Sequence, residues 1–130
     1  HSNSINNITT KTALINDGLG VGSYDDNNNV VWASNINRIV SSNLKEIIVV
    51  TINLKCSTDT LGGAFELEVS NGNVLDIIEN NINIQNQDFN IETTIVVDQT
   101  TINNGVQLFL KPEVGMSITV SNFSLLIIKG

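Results

Sequence analysis

Residues 47–55, IIVVTINLK, set Ile48, Val50, Ile52 and Leu54 on one side. Ile47, Val49, Thr51, Asn53 and Lys55 fall on the other, which is the two-residue period of a β-strand. Residues 64–70, AFELEVS, repeat the pattern more cleanly, with Phe65, Leu67 and Val69 against Glu66 and Glu68. Asn71-Gly72 follows. Both residue types accept positive φ, so a hairpin is expected, with residues 73–79 as its return strand. Residues 89–97 form a further strand, with Phe89, Ile91, Thr93, Ile95 and Val97 on one face. Near the C-terminus Val106, Leu108 and Leu110 alternate with Gln107, Phe109 and Lys111. Pro112 and Gly115 then supply a turn. Ile118 and Val120 open the last strand, and beyond Asn122 the apolar phase passes to Phe123, Leu125 and Ile127. A one-residue slip of phase within a strand predicts a β-bulge.

The remaining stretches are read as connections and short strands. Residues 1–12 form a polar leader or linker with Ile5 and Ile8 as its only anchors and at most a short strand. His1-Ser2 is expected to be a tag remnant, or else the cut end of a longer protein. Residues 13–15 and 30–33 are short strand candidates. Residues 16–29 are a long Gly-, Asp- and Asn-rich loop. Residues 35–43 hold Ile36, Ile39 and Val40 at helical spacing, but the run is short and reads as a loop with at most one helical turn. Residues 57–63, 80–88 and 99–105 read as turns or loops, the middle one with room for a strand around Ile82 and Ile84. The sum is an all-β chain without a predicted helix. The expected fold is an antiparallel β-sandwich (jelly roll) of about eight strands, occupying residues 13–130 as one domain.

Several strands carry apolar residues on both sides. Ile47, Val49, Val96, Phe109, Leu126 and Ile128 lie opposite the inferred core. A monomer would expose them as a patch, which soluble monomers avoid. A closed ring of identical chains buries such a patch with one repeated contact. The expectation is therefore a closed homo-oligomer, with Phe109, Leu126, Ile128 and Val96 in its interface.

Charge and composition narrow the function. The 130-residue chain has a net charge of −7, with only six Lys and Arg. Nucleic acid and anionic membrane surfaces need clustered positive charge, so neither is an expected partner. The longest apolar runs, residues 125–128 among them, are far too short to span a bilayer as a helix. The only histidine is His1 and the only cysteine is Cys56. These numbers argue against Cys/His zinc sites and against Ser-His-Asp or Cys-His catalysis. Cys56 shares the inward phase of Leu54, which predicts a buried thiol. Paired carboxylates of the glycosidase kind would have to come from Glu66 with Glu68, or with Glu92 across a sheet; on open strand faces these read as solvating charges.

The binding candidates are in the loops. The run Asp25-Asp26-Asn27-Asn28-Asn29 offers oxygen ligands of the kind calcium takes, but without EF-hand spacing, and is read as a solvated loop. Tyr24, Asp25, Asp26, Asn28 and Trp32 are the candidate ligand-contacting residues. Trp32, within VVWA, is weighted toward core or subunit-interface burial. No cofactor and no metal site is expected. Asn7-Ile8-Thr9 and Asn122-Phe123-Ser124 match the glycosylation sequon.

The segment Gly105-Val106-Gln107-Leu108-Phe109-Leu110, its turn to Gly115, and Ile118-Thr119-Val120-Ser121-Asn122-Phe123-Ser124-Leu125 resemble the last two strands of trimeric jelly rolls of the tumour necrosis factor and complement globular-head type. The resemblance covers about the last quarter of the chain. It implies a final strand ending near a threefold axis, as in head domains of phage fibres and bacterial spore-surface fibres. It also implies a non-enzymatic, extracellular or virion-surface role, structural and adhesive, with residues 16–29 and 80–88 contacting a host glycan or protein. The alternative is a carbohydrate-binding module of a secreted polysaccharide-degrading enzyme. That module would be a monomer with Trp32 or Tyr24 exposed and a structural calcium.

Overall fold

A computed structural model of the chain describes residues 5–14, 32–33, 38–41 and 43–129. Two antiparallel sheets pack face to face as a sandwich. Sheet A has the order β1 (Ile5–Ile8), β10 (Ile118–Lys129), β5 (Ile47–Thr58), β8 (Gln87–Val96). Sheet B is built on three strands, β9 (Gln107–Pro112), β6 (Ala64–Ser70) and β7 (Val74–Asn81). The two-residue β2 (Thr12–Ala13) is added along the edge of β9. A ribbon of β3 (Trp32–Ala33) and β4 (Arg38–Ile39) joins the same edge through an Ile39–Val106 bridge. Apart from the β6–β7 hairpin, the connections among the sandwich strands cross from one sheet to the other. This is the double Greek-key order of a jelly roll.

The sandwich forms because the strand periods agree with it. β5 buries every second side chain over its whole length, and β6 and β8 do the same. The inward residues of both sheets make one core, closed across the layers by an edge-to-face contact of Phe65 with Phe89 at 5.1 Å. β10 pairs with β5 as Val120–Cys56 and then as Asn122–Lys55, so Ser121 is the extra residue of a bulge. The bulge keeps Ile118 and Val120 before it, and Phe123, Leu125 and Ile127 after it, all buried.

Three local expectations change. Residues 99–105 hold a short helix, α1 (Gln99–Asn104), rather than a loop. Asp98 caps its N-terminus by accepting from the Thr101 amide, and Gly105 ends it at φ +70°, the capping pair that substitutes for apolar periodicity in so short an element. Arg38–Ile39 is strand, not loop or helical turn, because its backbone bonds are taken by β3 and by Val106. β1 pairs with β10 and buries Ile8, so part of the stretch read as a leader belongs to sheet A.

The sandwich has two distinct ends. One carries α1, the β6–β7 hairpin, the start of β5 and the ends of β8 and β10. The other carries three turns, 59–63, 82–86 and 113–117. They are tied together by bonds such as Gly62 N to Ile82 O (2.7 Å) and Ser117 N to Asp59 Oδ1 (2.8 Å). Gly63 is required there: a Cβ on it would lie 2.9 Å from the Thr60 carbonyl and 2.7 Å from Met116 Sδ.

Candidate functional site: the outer face of sheet A

The register of β8, β5 and β10 fixes which outward side chains are neighbours. Val96 stands opposite Ile47; Thr94, Val49 and Ile128 form the next row; Glu92, Thr51 and Leu126 form the third. Asn90, Asn53 and Ser124 follow, then Asp88, Lys55 and Asn122. One face is therefore divided. At the α1 end it is aliphatic, and toward the turn end it is polar.

The aliphatic end is open to solvent. Val96 is 61% exposed, Ile47 50% and Ile128 45%, while Val49 and Leu126 are half-buried between them. Leu44, also exposed, lies in the turn that leads into β5. Scattered exposed aliphatics are normal, but a contiguous group in register on a sheet is a form that a protein contact takes. The polar end is partly satisfied within the chain. Asn90 Nδ2 donates to Asn53 Oδ1 at 3.0 Å, and Lys55 Nζ lies 3.8 Å from Asp88 Oδ1. Asn122, beside the bulge, has a buried Oδ1 without a hydrogen-bond partner among the described residues.

Of the four residues expected in an interface, Val96, Leu126 and Ile128 meet on this face. Phe109 does not join them. It lies on β9, facing outward from sheet B in a row with Glu68 and Ile77. There Lys11 pairs with Glu68 and places its Nζ 4.8 Å from the centre of the Phe109 ring. The chain thus covers Phe109 with its own lysine, combining a cation–π contact with an ion pair. Lys11 is a residue that the strand phases gave no reason to single out, since both of its partners, Glu68 and Phe109, are distant in the chain.

Of the loop candidates, Tyr24, Asp25, Asp26 and Asn28 lie outside the described residues, as does the side chain of Trp32; the Trp32 backbone pairs with Ile39. The candidate carboxylates are divided between the two sheets, although Glu66 stands opposite Glu79 on sheet B. Glu66 and Glu68 face outward from sheet B, and Glu92 faces outward from sheet A. A shallow cleft of about 260 Å³ is lined by Glu66, Glu79, Lys111, Pro112, Glu113 and Val114 among others. Within it Glu113 Oε1 accepts from the Ala64 amide at 2.8 Å and so holds the start of β6. Among the described residues, no group of three His, Cys, Asp or Glu is placed to hold a metal ion, and no helix is long and apolar enough to cross a membrane. Cys56 is buried between the sheets, and loss of solvent pushes its thiol up to about 12. At neutral pH it stays protonated and is a poor nucleophile.

No protein-family description matches the chain, and no curated protein matches it.

Proposed function

We propose that this chain is a non-enzymatic head domain of an extracellular or virion-surface fibre, and that it works as a homotrimer. The observation that carries the reading is the in-register aliphatic group Ile47, Val49, Val96, Leu126 and Ile128 on the outer face of sheet A. A second copy covers that group and removes it from water, at about 25 cal/mol for each Å² of apolar area buried. The threefold count comes from the resemblance of the last two strands to trimeric jelly rolls. The interior position of β10 in sheet A suits it, since its outward side chains then face the neighbouring copies. Closed rings are built from contacts between two different surfaces of neighbouring subunits, so nothing requires all contact residues to share one face.

The opposite end of the sandwich is left free for host contact. Its three turns present Leu61, Ile84 and Val114, each well exposed. A host glycan or protein is the partner class assigned to it. The test of assembly is the mass in solution by light scattering at micromolar concentration. The expected value is three times 14.1 kDa, about 42 kDa. A mass of 14.1 kDa across the concentration range refutes self-association.

A further inference from the structure

The sequence contains two Asn-Gly junctions, Asn71-Gly72 and Asn104-Gly105. They are 33 residues apart, and the fold sets one against the other. Asn104 Nδ2 donates to the Asn71 carbonyl at 2.8 Å. Asn71 Nδ2 donates to Thr101 Oγ1 at 3.0 Å, and Asn71 Oδ1 accepts from the Asn73 amide at 3.0 Å. These bonds clamp α1 onto the β6–β7 hairpin. The approach is close: a Cβ on Gly72 would lie 3.3 Å from Asn104 Nδ2.

Asn-Gly is the junction at which a backbone amide most easily attacks a side-chain amide, because glycine has no Cβ to obstruct it. The glycine nitrogen loses its proton and bonds to the asparagine Cγ. The Cγ–Nδ2 bond breaks, the nitrogen leaves as ammonia, and a five-membered imide remains. Water opens the ring at either carbonyl, giving aspartate or isoaspartate. The balance is one amide plus one water to one carboxylic acid plus one ammonia, with no change of oxidation state.

In the closed clamp both attacking groups are committed. The Gly72 amide donates to Ser70 Oγ at 3.1 Å, and the Gly105 amide donates to the Thr101 carbonyl at 2.8 Å. Both leaving nitrogens are donors in the clamp itself. The two sites differ in depth, however. Asn71 is 1% exposed, whereas Asn104 is exposed at the last turn of α1. Fraying of that turn frees Gly105 and Asn104 together, and helix ends fray at low cost.

We propose that Asn104 and Asn71 are paired modification sites for spontaneous hydrolysis, silent while the clamp is closed and converted in order, Asn104 first. Conversion of Asn104 replaces a donor with a carboxylate that faces the Asn71 carbonyl, acceptor against acceptor. The clamp then opens, α1 loses its seat, and Asn71 becomes reactive in turn. The pair acts as an irreversible ageing device at the α1 end of the sandwich.

Peptide mapping by mass spectrometry, on the full chain held at mildly alkaline pH, tests this. Folded chain is expected to convert both sites roughly tenfold or more slowly than chain unfolded in urea, the ratio set by the local opening equilibrium. Asn104 product is expected before Asn71 product. Thr101→Val, which removes the partner of Asn71 Nδ2, is expected to speed conversion at Asn71; Ser70→Ala, which frees the Gly72 amide, serves if Thr101→Val does not fold. Equal rates in folded and unfolded chain overturn the proposal, as does conversion of Asn71 ahead of Asn104.

Discussion

The outer faces of the two sheets solve one problem in different ways. Both carry large apolar side chains on the side away from the core. On sheet B, Phe109 is half-buried beneath Lys11, which is anchored in turn by Glu68, while Ile77 and Leu75 on the neighbouring edge strand stay 50% and 40% exposed. On sheet A, Ile47, Val96 and Ile128 have no such cover among the described residues and stay about half exposed or more. An aromatic ring offers a cation a negative face, so a single lysine can shield it. Aliphatic side chains offer no such handle, and only other apolar surface satisfies them. Apolar residues on a second face are thus not equivalent signs of assembly; those that remain uncovered as a group in register across several strands, as on β8, β5 and β10, are the informative ones.

Exchanging the fates of the two faces should give the largest effect. Val96→Asp puts a charge at the edge of the aliphatic group, beside Ile47, at a position where the lone chain has little packing to lose. It is expected to reduce the solution mass to that of one chain while leaving the Tm of the domain nearly unchanged. Lys11→Ala should do the reverse. It uncovers Phe109 and leaves Glu68 unpaired, costing about 1 kcal/mol of folding stability, with the mass unaltered; urea unfolding read beside light scattering separates the two results. If both variants dissociate the assembly, the faces are not distinct in the way described.

The smallest effect concerns acid. The Ser117 amide, followed by the Thr60 hydroxyl, holds the Asp59 carboxyl below its ordinary range. The Thr101 amide, followed by its hydroxyl, does the same for Asp98. A carboxyl whose folded value is depressed stabilises the fold above its unfolded value, and that contribution is lost as pH falls through the folded value. Acidification should therefore loosen the Asp59–Ser117 turn contact and the α1 cap, seen as movement of the Ser117 and Thr101 amide signals in NMR. The aliphatic group on sheet A contains no titratable side chain, so the mass should not follow those titrations. A mass that tracks the Asp59 titration, at the far end of the sandwich, would place the assembly surface elsewhere.

Much of the fold was legible because its strands are buried on one side. The alternation in residues 47–55 and 64–70, and the slip at Asn122, follow from inward burial, and β5, β6 and the Ser121 bulge appear accordingly. What the phase of a strand does not carry is the sheet to which it belongs. Phe109 and Leu126 share an outward phase, yet strand order sends them to opposite sides of the molecule. Helix α1 escaped for a related reason. QTTINN has no apolar period, and its marks are Asp98 before it and Gly105 after it, which also suit a loop. Asn71 shows the limit of local rules most clearly. Asn-Gly predicted a hairpin with positive φ at both residues, and the hairpin is present. Only Gly72 takes positive φ, at +102°, while Asn71 turns its side chain to Thr101, a partner 30 residues away. The candidate site was legible residue by residue on sheet A, but its boundary with the polar end needed the register.

The central claim is that another copy of the chain covers the aliphatic end of sheet A. Thiol labelling of Val96→Cys against Val114→Cys tests it directly. Val114 is fully exposed at the far end of the sandwich, and Cys56, buried with its thiol pushed up to about 12, stays silent in both variants. The account predicts that Cys at 96 reacts several-fold more slowly than Cys at 114 in concentrated solution, and that dilution to single chains brings the two rates together. Equal rates at every concentration would contradict it.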